Sequence, residues 1–181
     1  MSHPFPDRLA DLLAEGDIID FGDISPAVNS HLQQGVAAYY DDRPAAEGHF
    51  RAALAEDPNA LAPWFCLTKI NTYQGFLSQA AEAAEQALAS AARQGNFAAD
   101  WRLLAADPPP PWIDQIKQPG SPQRFYAYML KAWAFVSLKA NNLPAAEEQL
   151  AAVAQLDPND YVGHSVIASL AARLRADEDA A

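Results

Sequence analysis

The chain has 181 residues, half of them hydrophobic, which suits one domain with a substantial core. Its richness in alanine and leucine, with only eight glycines, favours helices over strands. A formal net charge of -11 argues against a non-specific nucleic-acid binder or a protein for an anionic membrane surface.

The first 25 residues are expected to hold a short amphipathic helix over 7–15 and a packed arm. Asp7 is a candidate cap of that helix, Leu9, Leu12 and Leu13 its apolar side, and Gly16 its end. Residues 17–25 mix Ile18, Ile19, Phe21 and Ile24 with Asp17, Asp20 and Asp23, too apolar a pattern for a free linker. Ser25-Pro26 has the form of an N-cap followed by proline at the first helical position. A first hairpin then pairs residues 26–40 with 44–56, with Ala46, Phe50 and Ala53 facing the partner helix. Asp57-Pro58 stops it, because proline cannot donate to the helix ladder and disfavours a helical residue before it.

A second hairpin spans residues 60–73 and 77–92, turning at Gln74-Gly75. It lacks the proline terminator; Arg93-Gln94-Gly95-Asn96 makes the break, and a shorter helical piece follows over 97–106. Residues 93–124 are therefore an irregular insertion or a degenerate repeat. Within them Pro108-Pro109-Pro110-Pro111 favours extended polyproline backbone. This stretch is an inter-repeat loop or a weak domain boundary, and the loop is preferred because residues 26–56 alone offer little independent core. Trp112, Ile113 and Ile116 are placed to pin it to the domain, or Trp112 to serve as an exposed anchor. Helical patterning resumes over 125–140 and 143–156, then in a last helix over 161–175. Residues 178–181 are expected to be a disordered acidic tail.

The third hairpin repeats the wording of the first. Pro44-Ala45-Ala46-Glu47 recurs as Pro144-Ala145-Ala146-Glu147, and Asp57-Pro58-Asn59 as Asp157-Pro158-Asn159, all displaced by one hundred positions. Neither helix of such a pair can hide its apolar stripe alone, so the pattern reads as units of a stack. These hairpins resemble tetratricopeptide repeats, helix–turn–helix units of about 34 residues. Ala134, the Asn141-Asn142-Leu143 turn, Ala146, Leu150 and Pro158 carry the resemblance in the third hairpin. Gly35, Ala46, Phe50, Ala53 and Pro58 carry it in the first, and Trp64, Leu67, Gly75, Ala80, Ala84 and Ala87 in the second. The likeness covers about two thirds of the chain. It implies an all-α, right-handed superhelical stack of antiparallel helix hairpins over residues 26–177, with an irregular centre.

By that resemblance the concave groove holds a peptide or helix of another protein, and the chain is a non-catalytic protein-interaction adaptor or scaffold. The family's inward-facing positions fall on Leu32, Val36, Tyr39 and Tyr40, then Phe65, Lys69, Thr72 and Tyr73, then Tyr128, Lys131, Phe135, Leu138 and Lys139. Three of the four lysines of this acidic protein thus share one face. Lysine stems cover apolar surface while their heads reach water, so with the tyrosines they suit an aromatic or aliphatic segment bearing an acidic group. Residues 17–25 are an alternative occupant of that groove. The family's carboxylate clamp needs lysine, asparagine and arginine at matched positions, and Lys69 with Lys131 does not rebuild it.

Signs of other chemistry are sparse. Neither a zinc-protease, dinucleotide or phosphate-loop motif nor a nucleophile elbow occurs, and no cofactor or metal is expected. Cys66, the single cysteine, cannot form an intrachain disulfide; in the run Trp64-Phe65-Cys66-Leu67 it reads as a small buried hydrophobe. His31 and His49 can meet across the first hairpin, but spacing identifies no third ligand. The start of the chain lacks a basic region followed by a secretory apolar run, so a cytoplasmic protein without membrane contact is expected. Two further roles are carried beside the adaptor: a homodimeric structural subunit associating through its end helices, and an enzyme accessory or cryptic enzyme using residues 93–124.

Overall fold

A computed structural model describes residues 23–180. The helix expected over 7–15 and most of the arm expected before residue 25 lie outside the described residues. Those residues form an all-α structure without strands, in the order α1 (Pro26–Ala38), α2 (Arg43–Glu56), α3 (Ala62–Gln74), α4 (Leu77–Gly95), α5 (Trp101–Ala106), α6 (Trp112–Ile116), α7 (Pro122–Lys139), α8 (Leu143–Leu156) and α9 (His164–Asp179). Three helix pairs, α1/α2, α3/α4 and α7/α8, pack against one another, and α4 against α7 makes the most extensive contact between pairs.

Capping fixes the ends. Val28 N donates to Ser25 Oγ at 3.3 Å, Ala45 N to Asp42 Oδ1 at 3.0 Å, Arg124 N to Ser121 Oγ at 3.1 Å and Ala145 N to Asn142 Oδ1 at 3.2 Å. Each cap satisfies an N–H that the first helical turn leaves without a partner, worth about 1 kcal/mol. Pro26, Pro44, Pro122 and Pro144 all sit in the first two helical positions behind these caps. At the other end, Gly75 closes α3 with φ +81°, a left-handed conformation that glycine adopts without a Cβ clash.

Small residues set the closeness of each pair. Ala46, Phe50 and Ala53 are fully buried on α2, as their spacing predicts. A Cβ on Gly35 of α1 would lie 2.5 Å from Phe50 Cε1, so glycine admits the ring. The third pair uses Ala134 and Leu150, which share a buried cluster with Ala146, Leu143 and Ala171.

The proline run of the irregular centre departs from a purely extended backbone. Residues 107–111 are not merely extended: Trp112 N donates to Pro109 O at 2.8 Å, Gln115 N donates to Pro111 O at 3.0 Å, and the proline run becomes the lead-in to α6. Proline is tolerated there because a first-turn N–H has no helical partner in any case. Trp112 is 1% exposed, which rules out the exposed-anchor reading. Its indole Nε1 donates to Leu156 O at 2.8 Å, and its ring meets Phe97 and Tyr126 edge-on at 5.0 and 6.1 Å. Pinning of the connection is correct for Trp112 and Ile116, while Ile113 is exposed. The last helix also runs past its expected end. It reaches Asp179, with Arg175 pairing both Glu178 and Glu147, so residues 178 and 179 are helical.

Candidate functional site

The face selected from the sequence is built on α3 and α7. In α3 the i, i+4, i+8 spacing aligns Phe65, Lys69 and Tyr73 along one stripe; in α7 the i, i+3, i+7 spacing aligns Tyr128, Lys131 and Phe135. The two stripes meet where the Phe65 and Tyr128 rings lie 5.8 Å apart with planes tilted by 38°. Both rings are 2% exposed and form a floor. Lys69 Nζ stands 5.5 Å from the Phe65 ring, 5.7 Å from Tyr73 and 5.8 Å from Tyr128. Lys131 Nζ lies 4.1 Å above Tyr128 and donates to Val162 O at 2.7 Å. Two ammonium groups therefore flank one tyrosine ring, whose electron-rich face attracts each by about 0.5–1 kcal/mol at partly exposed positions.

Further along α7, Lys139 Nζ lies 6.0 Å from the Phe135 ring, and both side chains are half-buried. The remaining expected residues divide. Thr72 is buried and donates to Thr68 O at 2.6 Å, so its hydroxyl serves the helix backbone. Leu32 and Leu138 are core residues of the first and last clusters, and Val36 packs at the edge of the first. Tyr39 is 6% exposed and sits at the C-terminal end of α1, edge-on to Tyr40 at 5.0 Å. Burial, and secondarily the neighbouring Tyr40, raises the Tyr39 phenol above its ordinary range. Tyr40 is 58% exposed. Phe65, Lys69, Tyr73, Tyr128 and Lys131 thus lie within 4.1 to 5.8 Å of their neighbours in one group, whereas Tyr39 and Tyr40 belong to the first hairpin.

Sequence reasoning missed the parts contributed by turns. Val162, whose carbonyl orients Lys131, follows the Asp157-Pro158 stop. Arg43, which falls between the two expected helices of the first hairpin, lies 3.6 Å over the Phe76 ring and donates to Asn71 Oδ1 at 2.5 Å, tying the first hairpin to the second. Neither contact has a periodic signal, since each joins residues about thirty positions apart or brings in a main-chain oxygen.

The carboxylates that converge outside this face have structural employment. Among the described residues one trio of potential ligands converges: Asp157, Asp160 and His164, with ligand atoms within 4.8 Å of one another. Both Asp157 oxygens already accept backbone N–H groups, from Tyr161 at 3.0 Å and Val162 at 2.8 Å. Asp160 accepts from Ser165 N at 3.1 Å and Ser165 Oγ at 2.5 Å at the start of α9. Burial pushes the Asp160 carboxyl upward, but these bonds and the nearby His164 together hold it below the usual range. The His31 and His49 rings do meet, 6.2 Å apart. Burial raises the Cys66 thiol to about 12, which removes its thiolate at neutral pH.

Compared with known proteins, the chain matches no family model, no curated protein and no solved structure at a significant level. No helix among the described residues is long and apolar enough to cross a membrane.

Proposed function

We propose that this chain is a non-catalytic interaction module, built of tetratricopeptide-like hairpins, that holds a segment of a partner protein along the α3–α7 face. The observation that carries the reading is the placement of Lys69 and Lys131 around Tyr128, above a Phe65 floor, in a chain of net charge -11. Aromatic rings supply apolar contact at low entropic cost and lysines supply charge, so the fitting partner pairs aromatic or aliphatic side chains with carboxylates. The repeated hairpin wording supports the tetratricopeptide-like assignment, and a lone, unpaired thiol is compatible with a cytoplasmic location. Nothing in this role requires a cofactor.

An array of short peptides that vary aromatic, aliphatic and acidic positions tests the reading. Acidic–aromatic peptides are expected to bind and to lose binding when Lys69→Glu and Lys131→Glu are combined, with helicity by circular dichroism unchanged. Equal binding by the double variant would refute a charge-assisted face.

A second reading has its own observation. Val166 is 70% exposed and Leu174 38% exposed on α9, the last helix, which favours self-association through that end. Light scattering decides it: a monomer at high concentration would exclude the homodimer, and a dimer dispersed by Val166→Glu would support it.

A further inference from the structure

We propose that a second cleft, on the side of α7 turned away from Lys131, binds a free aromatic acid carrying a single negative charge. The cleft has a volume of about 390 Å³ and lies where α4, α5, α7 and α8 meet. That volume falls at the lower end of the roughly 300–1,000 Å³ that small-ligand sites occupy. Trp133, Val136 and Ser137 line it from α7. Trp133 is two residues beyond Lys131, and at about 100° per residue this places it on the opposite side of the helix. The cleft is therefore separate from the α3–α7 face.

Its walls make an aromatic slot with one charged end. Trp101 of α5 is 8% exposed, and Trp133 is partly buried against the same core cluster, so packing holds both indoles. Ser137 Oγ donates to Gln149 Oε1 at 2.8 Å, which joins the α7 and α8 walls and leaves the amide nitrogen of Gln149 as its donor end. Among the described residues, Arg102 is the one charged side chain that lines the cleft. Its guanidinium lies 4.0 Å over the Trp101 ring and 3.0 Å from Glu148, in a pair whose side chains are 62% and 61% exposed. An ion pair so exposed holds little. A ligand carboxylate can take the place of Glu148 and accept two parallel bonds from the planar guanidinium. Asp100, which accepts from Arg102 N at 2.8 Å, stands beside that single cation with Glu148. A second negative charge on the ligand would meet these carboxylates, so a monoanion fits where an acidic peptide segment does not.

The test is a titration of the full chain with 2-naphthoate, read by NMR from its four tryptophan indole N–H signals. Those of Trp101 and Trp133 are expected to shift, while that of Trp112, committed to Leu156 O, stays fixed. Uncharged 2-naphthamide and non-aromatic hexanoate should each bind about tenfold more weakly. Arg102→Gln should lower naphthoate affinity by about tenfold. Ala81→Leu, which fills the cleft from α4, should abolish the shifts with helicity unchanged. Lys69→Glu combined with Lys131→Glu should leave naphthoate binding as it is. Shifts at neither Trp101 nor Trp133 overturn the inference. So does equal binding of naphthamide, of hexanoate or by the Arg102→Gln chain, and so does loss of binding in the lysine variant. Binding of the blocked tetrapeptide GFEG with none of naphthoate gives the cleft to a protein segment and overturns the free acid.

Discussion

In the first hairpin Asp42 caps α2 through Ala45 N and Ala46 is fully buried; in the third, Asn142 caps α8 through Ala145 N and Ala146 is fully buried. Beyond these shared parts the two hairpins diverge. Asp57, after α2, accepts one backbone bond, from Asn59 at 2.9 Å, and stays partly exposed. Asp157, after α8, is 0% exposed and uses both oxygens to fold the 157–163 turn, while its own carbonyl receives the His164 ring at 2.9 Å. Glu47 pairs within its own helix, with Arg43 and Arg51, whereas Glu147 reaches across to Arg175 of α9. The first pair places glycine against Phe50, and the third places alanine in a cluster with Leu150. The difference teaches that a repeated motif sets the cap and the close approach, while the next element in the stack decides which of its polar groups become buried. The third hairpin has α9 packed on it; the corresponding turn of the first leads into α3.

The sharpest way to break this comparison is to truncate the two stop aspartates. Asp157→Ala leaves two backbone N–H groups without acceptors and should cost about 3 kcal/mol, against about 1 kcal/mol for Asp57→Ala; urea denaturation of both variants measures the gap. Equal costs would mean the turns are equivalent despite their surroundings. The next effect concerns close approach. Gly35→Ala drives a Cβ into Phe50 and should destabilise by about 1–3 kcal/mol, and adding Phe50→Leu should recover part of the loss by giving the first hairpin the alanine–leucine pair of the third. A double-mutant cycle with additive costs would rule out that coupling.

The smallest effect is electrostatic. The Arg175 hydrogen bond holds the Glu147 carboxyl below its ordinary range, more than offsetting the upward push of desolvation. A depressed carboxylate contributes stability that is present above its unfolded pKa and lost as pH falls through the folded one. Glu147→Gln should therefore lower stability slightly at neutral pH and converge with wild type in acid, where Glu47→Gln gives no contact to α9 to lose. Thermal melts across that pH range read the difference. Separately, Cys66 should resist thiol reagents in the native chain at neutral pH and react fully in urea, since burial keeps its thiolate fraction negligible.

Much of the architecture was legible because it is local. The bounds of α8 follow from Asn142 and Asp157-Pro158, and those of α2 nearly so, because caps and proline stops act within a few residues. The centre was harder. A run of four prolines signals extended backbone in isolation, and nothing local announces that Trp112 will donate to Leu156 O or stand against Phe97 and Tyr126. For the face, helical spacing aligned Phe65 with Lys69 and Tyr128 with Lys131, but the approach of the two stripes depends on how α3 and α7 pack. Spacing also could not separate Thr72 and Leu138, which the helix backbone and core absorb, from their half-buried neighbours.

The central claim is that Lys69 and Lys131 bind a carboxylate-bearing apolar segment over Tyr128. Titration of a synthetic octapeptide that pairs aliphatic and aromatic side chains with carboxylates, DIIDFGDI, into the full-length chain tests it most directly. Binding that weakens with salt and falls roughly tenfold or more when Lys69→Glu and Lys131→Glu are added agrees with the account. Affinity that ignores both lysines, or no binding at all, contradicts it.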